Sequence, residues 1–308
     1  MPKIEPVTVY NFNTPKFEYG LGILLDKDQG VIGDMTAETG IWSIERLIDL
    51  QDLLGTLKKL KDGAFETTRK LSDVKVLAPV GLSMPIWAAG VTFASSTLAR
   101  EVESGQSGLY AKVYSDPRPE LFPKAFPGTA VHPGDNIGIR PDSEWNVPEP
   151  ELVLIFNSKG ELVAMTAGND VSSRAIEGCN PLYLPQAKIY NQSCAIGSGL
   201  VFGLREEDAR QCQTRLEIIR NGEVEFDKTS TIGNMKRTFT ELRDHLFQPL
   251  NHPNGVALFT GTDLVPPDRW TLQEGDLVRI SISGITALEN EVEIIPHREL
   301  PPIEPSQN

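Results

Sequence analysis

The stretch PEPELVLIFNSKGELVAMTAGNDVSSR, residues 148–174, decides the fold because its pattern predicts an antiparallel hairpin of two strands. The run ELVLIF leads into NSKG, which has turn-forming residues, and ELVAMT fits the returning strand. Both faces of the outgoing strand carry apolar side chains, which are Val153 and Ile155 on one face and Leu152, Leu154 and Phe156 on the other.

This hairpin carries three carboxylates. Glu149 and Glu151 are two positions apart, so on a strand both side chains point to the same face. If the turn places Phe156 opposite Glu161, Asp170 projects onto that face as well, provided that no bulge intervenes. The spacing therefore predicts that Glu149, Glu151 and Asp170 lie together.

Three ionised carboxylates beside an apolar strand repel one another and lose hydration, so they need positive partners or a metal. The segment 148–174 has no His or Cys, and such an all-oxygen set suits a hard cation. Mg²⁺ is the expected ion, with Mn²⁺ or Ca²⁺ as alternatives. The competing interpretation is that these acids are exposed or paired with Lys and Arg side chains.

Composition narrows the classes of partner. The chain has 308 residues, of which 40% are hydrophobic and 23% are charged, so it can bury a sizeable core. Acidic residues outnumber basic ones by 42 to 29, for a formal net charge of −13. This charge argues against nucleic acid and anionic membrane surfaces as main partners. An anionic substrate is still compatible with it, because a bound dication can reverse the local potential.

Cysteines and the termini bear on the compartment. The three cysteines are odd in number and form no CxxC, which argues against a disulfide framework and a structural zinc site. We expect Cys194 to be a packing residue. The apolar stretch 76–93 is broken by two prolines and two glycines, which argues against a membrane span. The N-terminal MPKIEPVTVY has no charged-then-apolar signal region, so we expect a cytoplasmic protein.

The sequence pattern of the chain changes near residue 72. We predict a small N-terminal domain over residues 1–72 and a larger, β-rich domain over residues 73–308, in which short apolar runs alternate with Gly, Pro, Asn and Asp. One helix is predicted over residues 43–60, with Ser43 as its cap and Gly63 as its stop.

Two further helices are predicted, from residue 97 to about 104 and from residue 238 to about 247. The residues from about 97 to 117 follow a predicted core strand and include two glycines and several polar side chains. They predict either a mobile lid or a fixed surface helix.

Several motifs outside the hairpin carry a resemblance to a known family. The ExE at 149–151, NDVSSR at 169–174 and AKIYNQSCAIGSGLVF at 187–202 together resemble the core signature of the fumarylacetoacetate hydrolase superfamily, ExE…NDxSARD…KSFDxFxPxGP. FTGTDLVPP at 259–267 resembles its TGTPxG segment, and LQEGDLVRISISGITALENEV at 272–292 resembles its GDxVxxxIxGIGxLxN ending.

The resemblance covers about residues 78–295 and implies a fold. A member of this superfamily is expected to be β-rich α+β, with a mixed β-sandwich roll and a small N-terminal α+β domain. The superfamily forms dimers through its β-rich domain, often paired into tetramers. The resemblance therefore implies a homodimer or homotetramer.

One branch of the superfamily fits better than the rest. The segments at 110–125, 141–152 and 180–197 resemble the 2-keto-3-deoxy-pentonate (D-arabinonate or D-xylonate) dehydratases. The resemblance implies a Mg²⁺-dependent hydro-lyase that converts 2-dehydro-3-deoxy-D-pentonate to 2,5-dioxopentanoate and water. The alternative is an acylpyruvate-type C–C hydrolase or isomerase, and a third class is a non-catalytic binding or scaffold protein that keeps the fold.

The chain departs from the general pattern at three positions. Ser96 stands about where the hydrolases carry the His used in C–C bond cleavage, which weakens the hydrolase interpretation. Ala175 replaces the usual Asp of SARD, and Glu177 stands where Gln is common. These two changes leave the metal ligands intact and bear on the finer substrate contacts.

The resemblance also implies roles for single residues. Glu149, Glu151 and Asp170 match the metal ligands. Lys188 matches the family's catalytic Lys, which helps to abstract the C3 proton or holds the enolate oxygen. The remaining candidates are Glu120 as the acid for the C4 hydroxyl, Thr262 for the substrate carboxylate, and Ser95, Ser96 and Lys124 as weaker substrate-binding positions. For Glu120 the alternative is a salt bridge to Arg118 or Lys124, and for Thr262 it is a plain turn hydroxyl.

Overall fold

The computed structural model describes residues 5–15, 17–94, 108–297 and 299–300. Strands dominate this part of the chain and form sheets of twelve, five and two strands. A structure that is mostly sheet with some helices confirms the predicted β-rich α+β class.

The elements are numbered in chain order. The strands are β1 (Val7–Thr14), β2 (Phe17–Asp26), β3 (Val31–Asp34), β4 (Thr68–Lys70), β5 (Lys75–Leu77), β6 (Ile86–Gly90), β7 (Glu120–Ala125), β8 (Ile137–Ile139), β9 (Asn146–Val147), β10 (Pro150–Phe156), β11 (Leu162–Asp170), β12 (Ser172–Ser173), β13 (Cys194–Ile196), β14 (Gly199–Phe202), β15 (Gln213–Arg220), β16 (Glu223–Thr231), β17 (Val256–Phe259), β18 (Leu277–Ile282) and β19 (Leu288–Ile294). The helices are α1 (Met35–Thr39), α2 (Ile44–Ile48), α3 (Leu53–Asp62), α4 (Leu109–Ser115), α5 (Arg174–Cys179), α6 (Leu184–Lys188), α7 (Glu206–Ala209) and α8 (Phe239–Phe247).

The sheets are mixed, as the resemblance implies. The large sheet runs β4-β3-β2-β1-β14-β11-β10-β17-β6-β7, with β5 beside β1 and β13 beside β11. The five-stranded sheet runs β16-β15-β18-β19-β8, and β9 pairs with β12. The pairs β17–β6 and β19–β8 are parallel, and the other pairs among the described strands are antiparallel.

Strand β10 lies between two apolar clusters. Leu152 and Leu154 pack in a cluster that includes Ile218 of the five-stranded sheet, whereas Val153 packs with Leu47 of helix α2. The whole strand is buried. A strand with water on neither face matches the two apolar faces predicted from its sequence.

The hairpin forms as predicted, but in a different register. Phe156 pairs with Leu162 rather than Glu161, and a bulge next to this pair brings Glu151 opposite Gly168. In total, the observed register differs from the predicted one by two positions. Because side-chain direction alternates along a strand, a difference of two positions leaves each residue on its predicted face. Asp170 therefore still projects to the face of the two glutamates.

The prediction of a single helix over residues 43–60 is wrong, because the chain forms two helices, α2 and α3, with a break between them. Ser43 caps α2 and Gly63 ends α3, as predicted, but Asp49 and Asp52 interrupt the middle. Asp52 accepts a hydrogen bond from the N–H of Gly55, which starts a new helix.

The other predicted helices have different outcomes. Helix α8 begins after Thr238, whose hydroxyl and Glu241 form a capping box, so the prediction over 238–247 is confirmed. The helix predicted from residue 97 to about 104 lies outside the described residues. Among those that are described, no helix is long and apolar enough to cross a membrane. Cys194 is buried and free, as expected of a packing cysteine, and burial raises the pKa of its thiol to about 12.

The boundary predicted near residue 72 does not coincide with the edge of a sheet. Strand β1 pairs with β14 on one side and with β2 and β5 on the other. The strands before residue 72 therefore extend the same sheet that carries the carboxylate hairpin. The division into two domains remains a prediction.

Candidate active site

The three carboxylates of the hairpin lie together at one end of β10 and β11. Ligand oxygens of Glu149, Glu151 and Asp170 all lie within 4.8 Å of one another, and the three side chains are buried. The backbone N–H of Asp170 donates to the carbonyl oxygen of Glu149 over 2.9 Å, which ties the two strands at this point. The predicted convergence is confirmed, whereas binding of a metal by these residues remains a prediction.

Buried cations surround two of the three carboxylates. Glu149 accepts from Arg174 through Oε1 at 2.9 Å and from Lys188 through Oε2 at 2.8 Å. Asp170 Oδ2 lies 3.0 Å from Lys188 Nζ, and its Oδ1 lies 2.6 Å from Lys124 Nζ. Pairing with Lys and Arg, the competing interpretation of the sequence, is therefore present alongside a geometry that could hold a metal.

Lys188 is the last residue of α6, and its ammonium reaches the centre of the site. It donates to Glu149, to Asp170 and, over 2.6 Å, to Ser172 Oγ. Its Nζ also lies 5.8 Å from the ring centroid of Phe122. Three acceptors match the three N–H donors of a lysine ammonium, so the geometry favours a hydrogen-bonding, charge-stabilising role over abstraction of a proton.

Lys124 lies behind Asp170 and does not line the cavity. Its side chain is fully buried, and its ammonium donates to the carbonyl oxygens of Val171 at 3.1 Å and Lys188 at 2.6 Å. Together with the ion pair to Asp170, these contacts favour a positioning role over the substrate contact predicted from the sequence.

Glu151 has a different environment from its two neighbours. The backbone N–H of Gly261 donates to its Oε2 over 2.6 Å. Burial raises the pKa of Glu151 well above its usual value, and the charges of Asp170 and Glu149 raise it further, against the opposing effect of Lys188. A dication beside Glu151 would offset this burial and repulsion, so the residues present fit a metal.

The segment TGT at 260–262 shapes this side of the site. Gly261 has φ +87°, and a Cβ there would lie 2.1 Å from Thr92 Oγ1, so no larger residue fits without rearrangement. Thr92 in turn donates to the carbonyl oxygen of Thr260 at 2.6 Å. The glycine therefore allows the backbone N–H to reach Glu151. Thr262 is buried and lines the cavity beside the triad, where it could contact a ligand.

The carboxylates open into an inner chamber of about 30 Å³. It continues into an outer chamber of about 190 Å³, and the two share Val91, Glu120, Glu177 and Leu184 as lining residues. The described part of the predicted lid, helix α4, forms one wall of the outer chamber through Leu109, Tyr110 and Val113. A larger cavity of about 450 Å³ lies elsewhere, beside Trp42 and His132.

Glu120 lies where the two chambers meet. It is the first residue of β7 and pairs with Gly90 of β6. A Cβ on Gly90 would lie 2.1 Å from Glu120 Oε2, so the missing side chain leaves room for the carboxylate. The ammonium of Lys124, one of its predicted salt-bridge partners, is directed at Asp170 and two carbonyl oxygens. The candidates Ser95 and Ser96 lie outside the described residues.

Sequence reasoning missed several residues of this site. Arg174 ends the NDVSSR motif, which is the signal that could have identified it, and in the structure its buried guanidinium lies 2.9 Å from Glu149 Oε1. Glu177, which departs from the family pattern, lines both chambers. Val91, a β-branched residue at φ +53°, lines both chambers in a strained conformation that no sequence pattern would reveal.

Comparison of the sequence with known proteins identifies a matching family and two similar proteins. The family described as fumarylacetoacetate (FAA) hydrolase C-terminal matches residues 86–293. A protein of Haloferax volcanii described as a probable 2-keto-3-deoxyxylonate dehydratase is 48% identical over 207 residues, which are 67% of this chain and 71% of that protein. The 2-dehydro-3-deoxy-D-arabinonate dehydratase of Saccharolobus solfataricus is 35% identical over 226 residues, 71% of this chain and 74% of that one.

Solved structures agree with these relatives. The apo form of a 2-keto-3-deoxy-D-arabinonate dehydratase superposes with a TM-score of 0.78 at 28% identity and covers 94% of this chain and all of its own. A structure of that enzyme complexed with magnesium and 2,5-dioxopentanoate has a TM-score of 0.73 at 29% identity, with the same coverage. The predicted mixed β-sandwich roll is thereby confirmed.

Proposed function

We propose that this chain, which belongs to the fumarylacetoacetate hydrolase family, is a Mg²⁺-dependent dehydratase of 2-dehydro-3-deoxy-D-pentonate. The product would be 2,5-dioxopentanoate, with release of water. The observation that carries the proposal is the buried triad of Glu149, Glu151 and Asp170, which opens into a chamber lined by Glu120. The dehydratases to which the chain is similar support the same chemistry.

The formal charges around the inner chamber support a dication. The set comprises five carboxylates, which are Glu120, Glu149, Glu151, Asp170 and Glu177. Its three cations are Lys124, Lys188 and Arg174. A divalent ion would bring this set to formal neutrality. Mg²⁺ prefers such oxygen ligands, and Mn²⁺ or Ca²⁺ could occupy them in its place.

Glu149, Glu151 and Asp170 would hold the metal. When bound, it would act as a Lewis acid towards the C1 carboxylate and the C2 keto oxygen of the substrate, and so favour loss of a C3 proton. Thr262 lines the same chamber and would bind the substrate carboxylate through its hydroxyl. Lys188 is already a triple donor in the site. Since its three N–H groups are engaged there, we assign to its positive charge, rather than to a further hydrogen bond, the stabilisation of negative charge at the substrate oxygens.

Glu120 would serve the elimination. The step moves one proton from C3 to the departing C4 hydroxyl, breaks the C3–H and C4–O bonds, and forms a C3=C4 double bond and water. A single carboxylate can accept the first proton and donate it to the second position. Glu120 lies between the chambers, which supports its assignment to this role.

The remaining change is an isomerisation. The unsaturated 5-hydroxy-2-oxo acid loses one proton from C5 and one from its hydroxyl, while C3 and C4 each gain one. C5 thereby becomes an aldehyde without an external oxidant, which accounts for all atoms of 2,5-dioxopentanoate.

The experiment is an assay of the purified protein with 2-keto-3-deoxy-D-pentonate, followed through a coupled semialdehyde dehydrogenase. We expect product with Mg²⁺, none with EDTA, and loss of activity in Glu149→Gln and Glu120→Gln. Glu223→Gln, on the exposed face of β16, is the matched control and should behave as wild type. Cleavage of acylpyruvates without any 2,5-dioxopentanoate from either C4 epimer would overturn the proposal in favour of the hydrolase branch.

We also propose that the protein acts in the cytoplasm as a homodimer or homotetramer, with residues 1–72 as a small domain beside the catalytic one. Light scattering coupled to gel filtration would test the oligomeric state. A monomer that is fully active at assay concentration would contradict it.

A further inference from the structure

The outer chamber has a charge pattern that bears on which end groups a substrate can carry. Among the described residues that line it, the charged side chains are Glu120 and Glu177, and the others are Val91, Leu109, Tyr110, Val113, Pro181 and Leu184. Both carboxylates also line the inner chamber, so they lie at the passage between the two.

Glu177 is held in this place by the fold. It lies on helix α5, which Ser173 caps by accepting from the N–H of Ile176, and its side chain is buried. Arg174, one turn earlier, lies 3.9 Å from Glu177 Oε2 and 2.9 Å from Glu149 Oε1. The same guanidinium therefore connects Glu177 with the triad, and its closer ion pair is with Glu149.

A 2-keto acid that binds the triad through C1 and C2 would direct its far end towards these two carboxylates. A second carboxylate on that end would meet like charge in a chamber whose other described lining residues are mostly apolar, where repulsion is less screened than in bulk water. A hydroxyl group would instead donate a hydrogen bond to a carboxylate, which is among the stronger kinds.

We propose that Glu177 is a specificity residue, which selects 2-keto acids with an uncharged, hydroxylated far end and rejects those with a second carboxylate. This inference rests on the proposed function for the orientation of the ligand, and it deepens that function by naming the substrate class. It also separates this site from any that accepts dicarboxylic keto acids.

Three five-carbon ligands test the inference by calorimetric titration in the presence of Mg²⁺. They are 2-oxopentanoate, 5-hydroxy-2-oxopentanoate and 2-oxoglutarate, which are identical at C1 and C2 and end in a methyl, a hydroxyl and a carboxylate group. None carries a C4 hydroxyl, so none can be dehydrated. The binding series can therefore fail or succeed whatever the dehydratase assay gives.

We expect wild type to bind 5-hydroxy-2-oxopentanoate at least tenfold more tightly than 2-oxoglutarate. In Glu177→Gln, which keeps the side-chain shape, this ratio should fall at least fivefold, mainly through tighter binding of 2-oxoglutarate. Glu225→Gln, an exposed glutamate on β16, is the matched control and should keep the wild-type ratio.

Two results would overturn the inference. Equal affinity of wild type for 2-oxoglutarate and 5-hydroxy-2-oxopentanoate would show that the chamber does not select by charge. An unchanged ratio of the two affinities in a folded Glu177→Gln protein would show that Glu177 does not determine the selectivity. The wild-type series needs no variant, so it tests the selectivity even if Glu177→Gln does not fold.

Discussion

The ammonium nitrogen of Lys188 lies 2.8 Å from Glu149 Oε2, and both side chains are buried. Removing one partner of a buried ion pair leaves the other charge without compensation, which destabilises a protein by about 3–5 kcal/mol. The contact therefore couples the stability of the fold to the chemistry of the site.

Lys188→Met should lower both stability and activity. We expect urea unfolding without metal to show a loss of about 3–5 kcal/mol, and kcat/KM to fall by roughly 10²–10³-fold. Mg²⁺ should recover part of the stability, because it replaces the missing positive charge, but it should not recover activity. Lys159→Met, in the exposed turn of the hairpin, is the control. Unchanged stability of Lys188→Met would contradict this account of the pair.

Removal of Glu151 should have the opposite effect on the metal-free protein. Its carboxylate is repelled by Asp170 and Glu149, so Glu151→Gln should unfold at a higher temperature than wild type in EDTA. Wild type should gain about 2.7 kcal/mol from Mg²⁺ at one hundred times the dissociation constant, and Glu151→Gln should gain little. Thermal unfolding of both proteins with EDTA and with Mg²⁺ measures the two effects. A full Mg²⁺ response in the variant would mean that the ion binds elsewhere.

Gly261 should tolerate alanine less well than a glycine of similar backbone conformation. Gly261 and Gly275 have φ values of +87° and +84°, but only at Gly261 would a Cβ meet another atom within 4 Å. Gly275→Ala should therefore lose about 1–2 kcal/mol from its left-handed backbone alone. Gly261→Ala should lose clearly more and bind Mg²⁺ more weakly, because its N–H would no longer be aligned with Glu151. Equal losses of unfolding free energy in the two variants, measured by urea unfolding, would show that the close approach to Thr92 does not affect stability.

The pH dependence of stability should carry a contribution from His132. Its Nδ1 accepts from the N–H of Ala78 at 2.9 Å, and burial lowers its pKa, with Asp135 opposing this and Lys75 adding to it. The unfolded chain then takes up the proton more readily than the folded one, so this stabilisation is complete above a pH of about 6.5 and is lost as the pH falls below it.

The measurement is urea unfolding at pH 7.5 and pH 5. His132→Asn, which cannot be protonated, should lose less stability than wild type between these two pH values. His245→Gln, on helix α8, is the control and should keep the wild-type difference. A His132→Asn protein with the wild-type difference would assign the pH dependence to other groups.

Local pattern was enough to predict the hairpin, its buried faces and the meeting of three carboxylates. These features depend on the alternation of side chains along a strand, which does not require knowledge of tertiary contacts. The register could not be predicted, because a bulge at Phe156 depends on packing around the turn. The break between helices α2 and α3 has a similar cause, since Asp49 accepts from the N–H and hydroxyl of Ser158, far away in sequence.

The residues that complete the site were harder to anticipate. Arg174, Gly261 and Gly90 act through contacts with carboxylates that are 25 or more positions away in sequence, and a spacing rule sees only near neighbours. Lys124 is the reverse case, because the resemblance implies a substrate contact for this lysine, whereas its buried contacts favour a positioning role. Its ammonium is in fact enclosed by protein oxygens.

The predicted and observed registers of the hairpin differ by two positions, and this difference indicates which changes of length such a site tolerates during evolution. Since the face that a residue occupies repeats every second position, a pair of residues gained or lost between Leu162 and Asp170 would keep the Asp170 carboxylate on the face of Glu149, about 7 Å further along the strand. A single inserted residue would turn Asp170 towards the opposite apolar layer and dismantle the triad at once. Length variation among functional descendants of this hairpin is therefore expected in even steps, unless a compensating bulge restores the count.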